Sequence, residues 1–338
     1  MAHARHPAYW PTNGWRRSTP QEQGIDPVML ARAAHEARDN LPTLYSLLVI
    51  RNGHIVFEEH YHGHTPSDLY SVRSVTKSVI SALVGIACKD QYLAGLDQKV
   101  AEVLPEYLAG DADPHKLEMT VKDLLTMQAG LRWDEPYDEW KLYDSENWAA
   151  FTLSLPMASR PGTRFTYNTG LSQVLAAILT KTTHRQMSQF AEEGLFMPLG
   201  IQRAAWETDP QGLTIGGFGL SLTVKDLAKV GYLYLHNGQW DGQQIVPTAY
   251  VRASTTAWSA GGFPEETSYG YHWWVTNEAG YAAFFAAGYG GQYLYVVPEL
   301  DTIVVTTAKY DLPPEKTLDR YLITNFVLPS VQVRNMKP

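Results

Sequence analysis

The sequence predicts an α+β protein in which strands from both ends of the chain form one antiparallel sheet beside a helical middle. Near the N-terminus, alternating apolar residues predict two strands, Leu44 to Ile50 and His54 to His60, joined by the hairpin turn Arg51-Asn52-Gly53. Near the C-terminus, similar runs have the spacing of an antiparallel meander. These runs are Tyr269 to Val275, Ala282 to Ala287, Gln292 to Val297 and Thr302 to Thr307.

The middle of the chain has a helical pattern, which predicts an inserted helical domain. The chain has 338 residues, a length that suits one large domain or two closely packed ones. We expect residues 1–85 and 205–338 to form a discontinuous sheet domain, and residues 86–204 to form a mainly helical domain.

Helix start signals recur along the chain. Asp26-Pro27 predicts a helix that runs to about Arg38, because proline favours the first helical position. Thr120 and Thr223 each begin a capping-box pattern. Further helices are expected over residues 170–181, 186–195 and 314–327. Strands are expected to return from about residue 205, with a glycine-rich, apolar strand over residues 214–222. Residues 130–160 have no regular pattern and many acidic and aromatic side chains, which is typical of a loop that covers a substrate or of a solvated surface loop.

Composition limits the classes of function. The 27 basic and 35 acidic residues give a formal net charge of −8, which argues against nucleic acid as a partner. The single cysteine, Cys88, rules out an intrachain disulfide and is expected to be a core residue. No apolar run reaches the length of a membrane span, and the N-terminus lacks the apolar core of a signal peptide. We therefore expect a soluble, cytoplasmic protein.

One stretch combines a buried helix with reactive side chains at its start. From Val75 onward the residues are apolar on nearly every helical face, which predicts a buried helix. Ser74 and Lys77 are three positions apart and so share one face. A buried lysine needs a partner or a chemical task, and a desolvated, neutral amine can take the proton of a neighbouring serine. The pair is either a serine nucleophile with its base or a chance pattern.

Two further stretches are candidates to complete a site. Tyr167 lies before a predicted helix, where a phenol can relay a proton, although it is also consistent with a packing residue in a capping turn. Ala287-Gly288-Tyr289-Gly290-Gly291-Gln292 connects two strands of the meander. Its glycines allow a ligand to approach the backbone closely, or they form a simple bulge or turn.

A different reading involves His60, His62 and His64. Alternate histidines on a strand can hold a metal, but no acidic or sulfur ligand is evident nearby and Gly63 interrupts the strand. A polar loop is the favoured interpretation, and we expect no metal and no cofactor.

Taken together, the motifs resemble those of the serine β-lactamase and penicillin-binding protein superfamily, and within it class C β-lactamases, related family VIII-type esterases and 6-aminohexanoate-dimer hydrolases. The resemblance extends from about Leu44 to Thr307 and implies a β-lactamase/transpeptidase-like fold. Ser74-Val75-Thr76-Lys77 matches Ser-x-x-Lys, which implies Ser74 as acylated nucleophile and Lys77 as proton acceptor. Tyr167 matches the acid/base tyrosine of Tyr-x-Asn. Tyr289-Gly290-Gly291 corresponds to Lys-Thr-Gly, which implies Gln292 N–H as an oxyanion donor with that of Ser74.

The chain departs from the family pattern at two positions. Thr169 replaces the asparagine that binds the acyl side chain of lactams, and Tyr289 replaces the cation that helps hold the penicillin carboxylate. Both changes weaken the case for β-lactamase activity, and the second favours a substrate without a carboxylate at that end. The resemblance therefore implies a serine hydrolase of small-molecule esters or amides. The alternatives are β-lactamase or DD-peptidase activity, or a non-catalytic peptide-binding protein. The sequence leaves the oligomeric state open, a homodimer included.

Overall fold

The structure is a computed structural model that describes residues 7, 9–110, 113–135, 137–313, 318 and 320–332. A nine-stranded sheet forms the largest element of these residues, with the strand order β1-β3-β2-β14-β13-β12-β11-β10-β9. Its strands are β1 Arg16–Arg17, β2 Leu44–Arg51, β3 His54–His60, β9 Ser259–Gly262, β10 Thr267–Tyr269, β11 Trp274–Glu278, β12 Tyr281–Gly288, β13 Gln292–Val297 and β14 Thr302–Ala308. Shorter strands form two small sheets: β4 Tyr70–Ser71, β5 Ala205–Trp206, β6 Leu220–Leu222, β7 Gln239–Trp240 and β8 Gln243–Gln244.

The two ends of the chain meet in the centre of this sheet. The last strand, β14, pairs antiparallel with β2, and the strands β11 to β14 form a consecutive antiparallel meander. Every residue of β13 and β14 is buried, which fits central strands that are covered on both faces. The predicted α+β class, the early hairpin and the meander are confirmed.

The helices lie mostly between β4 and β9 in the chain. They are α1 Pro27–Asn40, α2 Thr76–Lys89, α3 Val100–Val103, α4 Pro105–Leu108, α5 Val121–Leu125, α6 Tyr137–Asp144, α7 Trp148–Ser154, α8 Thr169–Thr183, α9 Met187–Ala191, α10 Met197–Leu199, α11 Val224–Leu235 and α12 Thr248–Ser254. Asp26 caps α1, Thr120 forms the expected capping box with Asp123, and Thr223 caps α11. In the described residues, no helix has the length and apolarity needed to cross a membrane.

Close packing of α11 on the sheet depends on one glycine. A Cβ atom at Gly231 would lie 2.8 Å from a methyl carbon of Leu294 and 3.3 Å from one of Ile303, on the adjacent strands β13 and β14. Because real Cβ contacts are almost never that short, only glycine lets the helix approach so closely. This contact fixes α11 against the centre of the sheet.

Three sequence expectations are wrong in detail. Residues 130–160 are not an irregular loop, because they contain α6 and α7, whose apolar side chains pack in a small core with Trp133 and Ile215. The predicted strand over residues 269–275 is two strands, since the chain turns at His272, which has a φ of 57°. Only Leu220–Leu222 of the expected strand over 214–222 is extended. Part of the predicted helix 314–327 lies outside the described residues, and the division into two domains stays a prediction.

The buried helix at the centre of the prediction is confirmed. Residues 76–87 of α2 are all buried, and a 3₁₀ turn over Arg73–Val75 leads into it. Ser74 therefore lies in a tight turn at the start of a helix that is packed on all sides. Such an anchored helix can hold a side chain at its first turn in one position, which is what a reactive site requires.

Candidate active site

Ser74 and Lys77 are in direct contact. Lys77 Nζ lies 2.9 Å from Ser74 Oγ, as the three-residue spacing predicts. Ser74 is partly exposed, whereas Lys77 is only 1% exposed. A substrate can thus reach the hydroxyl, while the amine is shielded from water.

Lys77 is held by hydrogen bonds to neutral groups. Its Nζ donates to the Gly217 carbonyl at 2.8 Å and to Thr169 Oγ1 at 3.3 Å. Burial lowers the pKa of Lys77 to about 8, although the nearby carboxylates of Glu135 and Glu139 act in the opposite direction. Burial thus favours the neutral amine, and a neutral amine can accept the proton of Ser74.

Tyr167 lies over the same pair. Lys77 Nζ is 5.0 Å from the centre of the Tyr167 ring, which in turn stacks on Trp274 at 5.8 Å. Burial, with smaller contributions from Tyr269 and Glu135, raises the pKa of Tyr167 far above its ordinary value, and its hydrogen bond with Ser74 opposes this only in part. The phenol is therefore protonated at neutral pH and suits a proton donor or relay rather than a strong base.

A carboxyl group that sequence reasoning did not single out joins the network. Thr169, the first residue of α8, donates from Oγ1 to Glu135 Oε1 at 3.0 Å. The Trp133 indole N–H donates to Glu135 Oε2 at 2.6 Å. Burial, reinforced by Glu139, raises the pKa of Glu135. Thr169 Oγ1 thus bridges Lys77 and Glu135, so the two ionisable groups influence each other.

The glycine-rich connection between β12 and β13 approaches the turn that carries Ser74 at Gly288. A Cβ atom there would lie 2.4 Å from the Val72 carbonyl oxygen and 3.1 Å from Arg73 Cβ. The residues implied by the family pattern follow Gly288 in the chain. Gln292 pairs with Gly288 across the ladder, and its buried side chain bonds to Ala308. The Gly291 carbonyl accepts a hydrogen bond from the Thr306 hydroxyl. Tyr289 is 43% exposed, and its hydroxyl donates a hydrogen bond to the Leu312 carbonyl.

We expect Gly288→Ala to impair this approach. The new methyl group would push the end of β12 away from the Val72 backbone, and a shift of about 1 Å in a catalytic group can cost on the order of a hundredfold in rate. We predict that kcat/KM for a p-nitrophenyl ester falls at least tenfold, measured at matched fold content by circular dichroism. Gly194→Ala is the control, because its Cβ would contact nothing closer than 3.5 Å. Equal activity of both variants would show that the close approach of Gly288 to the turn that carries Ser74 does not matter for catalysis.

The histidine reading receives no support from the described residues. His60 contacts Glu58 and Tyr70, while His64 contacts Asp68. Among the residues that the structure describes, no group of three or more His, Cys, Asp or Glu side chains could hold a metal ion. Cys88 is partly buried and packs against the core, as expected.

Several residues that shape the site were not predicted from the sequence. The Gly217 carbonyl, Glu135 and the aromatic pair Tyr269 and Trp274 all come from segments far from Ser74 in the chain. Glu135 stood in a stretch already noted for its acidic and aromatic content, but nothing local distinguished it from its neighbours. Gly288 was visible as part of a glycine-rich connection.

The central antiparallel sheet, the buried helix with its serine and lysine, and the facing tyrosine define a β-lactamase/transpeptidase-like fold. The family model described as Beta-lactamase matches residues 32–327. The chain belongs to this beta-lactamase family.

Known proteins of this family include hydrolases. The chain is 28% identical over 293 residues to the 6-aminohexanoate-dimer hydrolase of Paenarthrobacter ureafaciens, which covers 79% of this chain and 73% of that protein. Two solved structures share the fold. A putative 6-aminohexanoate-dimer hydrolase from Bacillus anthracis has a TM-score of 0.78 and 19% identity, and covers 96% of this chain and 89% of that one. EstCE1, a hydrolase with promiscuous acyltransferase activity, has a TM-score of 0.75 and 16% identity, and covers 91% and 98%.

Proposed function

We propose that this protein is a serine hydrolase that cleaves carboxylic esters or linear amides through an acyl-enzyme on Ser74. The observation that carries the proposal is the 2.9 Å contact between the accessible Ser74 Oγ and the buried Lys77 Nζ. A lysine whose pKa is lowered by burial, next to a hydroxyl that a substrate can reach, is the arrangement of an activated nucleophile.

The first half of the reaction forms the ester bond to the enzyme. Ser74 Oγ attacks the carbonyl carbon of the substrate while its proton moves to Lys77 Nζ. The carbonyl π electrons move to the oxygen, which becomes an oxyanion. Collapse of this tetrahedral intermediate expels the alcohol or amine, which takes a proton through the Tyr167 hydroxyl. Tyr167 suits this role because its phenol remains protonated at neutral pH.

The oxyanion needs main-chain donors, and we assign them to Ser74 and Tyr289. Gly288 lies against the Val72 carbonyl and Arg73 Cβ, which supports the N–H of the next residue, Tyr289, as the donor from this strand end. Gln292 is opposite Gly288 on the next strand, and its side chain bonds to Tyr289 O and Ala308. We therefore propose that Gln292 holds the turn in shape and that Tyr289 N–H is the donor. One such donor typically contributes about 10²–10³ in kcat.

In the second half, water replaces the leaving group. Water loses a proton to the same lysine and tyrosine relay and attacks the acyl carbon, and Ser74 Oγ leaves with the returned proton. No step requires a metal or a cofactor. The kinship with a 6-aminohexanoate-dimer hydrolase supports linear amides as substrates, alongside esters.

Three substrate types test the proposal. We expect turnover of p-nitrophenyl acetate or butyrate, or of the linear 6-aminohexanoate dimer, and much slower turnover of the β-lactam nitrocefin, since Thr169 and Tyr289 replace two lactam-binding residues. Tyr167→Phe should lower the turnover that is found. Folded protein that hydrolyses no ester and no amide would contradict the proposal and favour the peptide-binding alternative.

The pH dependence should report the interaction between Lys77 and Glu135. Because the active form has a neutral Lys77, kcat/KM should rise with pH through about 8, the pKa of this group. Glu135 raises the pKa of Lys77, so Glu135→Gln should shift this rise to lower pH. The measurement is the pH profile of ester hydrolysis. Glu146→Gln is the control, because Glu146 is exposed, lies in the same segment and is not among the charges acting on Lys77. A shift to higher pH in Glu135→Gln would contradict this coupling.

A further inference from the structure

Arg73, immediately before the nucleophile, is a cation without an anionic partner in the described part of the chain. Its guanidinium carbon lies 5.1 Å from the centre of the Phe218 ring and 5.0 Å from that of Tyr310. Its Nε is buried and has no hydrogen-bond acceptor among the described residues. Stacking on aromatic faces leaves the N–H edges of a guanidinium available, and these edges match a carboxylate in a bidentate geometry.

The backbone keeps Arg73 in this position at a cost. Its φ of 48° lies in the left-handed region, where side chains other than glycine are uncommon. The residue also begins the 3₁₀ turn that carries Ser74. The backbone of Arg73 is therefore part of the same turn as the nucleophile, and the two aromatic rings contact its guanidinium.

Arg73 lines a cavity of about 470 Å³. Two of its lining residues are chain neighbours of the site, because Arg73 precedes Ser74 and Phe218 follows Gly217, whose carbonyl binds Lys77. Aromatic and apolar side chains form much of the wall, and four polar residues complete it: Arg73, Glu207, Thr208 and Asp209. Its volume and lining suit a small organic molecule.

Among the described residues that line this cavity, Arg73 is basic and Asp209 and Glu207 are acidic. Asp209 is already occupied, since its oxygens accept from Gln173 Nε2 at 2.9 Å and from the N–H groups of Gln211 and Leu213 at 2.9 and 3.0 Å. Glu207 is exposed and forms no ion pair with Arg73. The guanidinium therefore remains available to an anion that enters the cavity, whereas the negative charge of Glu207 repels such an anion.

We propose that Arg73 binds a carboxylate of the substrate and so gives the enzyme a preference for anionic esters or amides. This inference rests on the proposed hydrolase function and specifies its substrate class. It also revises the expectation, drawn from Tyr289, that the substrate has no carboxylate at that end. In this proposal Arg73, directly before Ser74, supplies the cation that Tyr289 replaces in the Lys-Thr-Gly motif.

The test compares matched neutral and anionic substrates. For the acyl side, mono-p-nitrophenyl succinate is compared with p-nitrophenyl butyrate; for the leaving-group side, 4-acetoxybenzoate is compared with its methyl ester. The readout is the ratio of kcat/KM for the anionic over the neutral member, in wild type, Arg73→Gln and Arg73→Lys. Arg252→Gln is the control, because Arg252 is an exposed residue of α12 outside the cavity lining.

We expect Arg73→Gln to lower this ratio about ten- to a hundredfold for one of the two pairs, the range of a lost hydrogen bond between charged groups. Arg73→Lys should retain an intermediate ratio, Glu207→Gln should raise the ratio, and Arg252→Gln should not change it. Ratios that Arg73→Gln leaves unchanged for both pairs would overturn the proposal, as would an equal fall in Arg252→Gln.

The design separates this proposal from the function on which it rests. If wild type hydrolyses neutral esters and Ser74→Ala does not, the hydrolase function stands, and an unchanged ratio in Arg73→Gln overturns the carboxylate site alone. If wild type hydrolyses neither member of either pair and does not hydrolyse the linear 6-aminohexanoate dimer, the proposed function itself fails. Circular dichroism and thermal melts of each Arg73 variant establish that it is folded.

Discussion

Ser74→Ala should abolish hydrolysis while leaving the fold intact. The change removes the atom that attacks the carbonyl in the proposed mechanism. It deletes a single oxygen from a partly exposed residue, so the core around α2 is unaffected. We expect kcat for p-nitrophenyl butyrate to fall on the order of 10⁴-fold or more, the range found when the nucleophile of an acyl-transfer enzyme is removed. The unfolding midpoint should change little.

The choice of control makes this result specific to Ser74. Ser78 and Ser81 lie on the same helix, but both are buried: Ser78 Oγ donates to the His272 carbonyl, and Ser81 Oγ lies 3.3 Å from the Tyr250 hydroxyl. Ser81→Ala should therefore retain most of the hydrolytic activity, at some cost in stability. Loss of activity in Ser81→Ala but not in Ser74→Ala would refute the assignment.

Lys77→Ala should lower activity nearly as far as Ser74→Ala. In the proposed mechanism Lys77, whose Nζ lies 2.9 Å from Ser74 Oγ, takes the Ser74 proton, so the two residues act as one unit. The double variant should therefore be no worse than either single variant, since effects within such a unit are far from additive. The measurement is kcat for the ester in the two single variants and the double variant.

Lys77→Arg distinguishes proton transfer from simple positive charge. A guanidinium keeps its proton at any accessible pH, so it cannot act as the base even though the charge is retained. We expect Lys77→Arg to be nearly as inactive as Lys77→Ala, with no recovery at high pH. Substantial activity in Lys77→Arg would show that the residue contributes charge rather than proton acceptance.

Much of the fold was predictable because its signals are local or periodic. Asp26, Thr120 and Thr223 cap helices through bonds to neighbouring residues, so the sequence alone carries that information. The meander strands were recognised from their apolar runs and turns. The helices α6 and α7 were missed because their apolar side chains pack in a small core with Trp133 and Ile215. Ile215 is far from both helices in the sequence, so no local pattern reveals this core.

The residues of the site also divide into those that local spacing predicts and those that only tertiary contacts bring together. Ser74 and Lys77 are one helical turn apart, so their contact could be derived from spacing. Tyr167 was a candidate from its place before a predicted helix, and Thr169 entered through the family resemblance; the structure brings both to Lys77. Glu135, Arg73 and Gly288 could not be recognised in this way, because their roles depend on contacts with residues 169, 218 and 72, which only the tertiary structure brings near.

The most direct test of the central claim is the mass of the intact protein after reaction with a fluorophosphonate serine probe, followed by peptide mapping. We predict one added label on wild type, on the peptide that contains Ser74, and none on Ser74→Ala. Ester turnover should be lost in proportion to labelling. A label on another residue, or turnover that persists in fully labelled protein, would contradict an acyl-enzyme on Ser74.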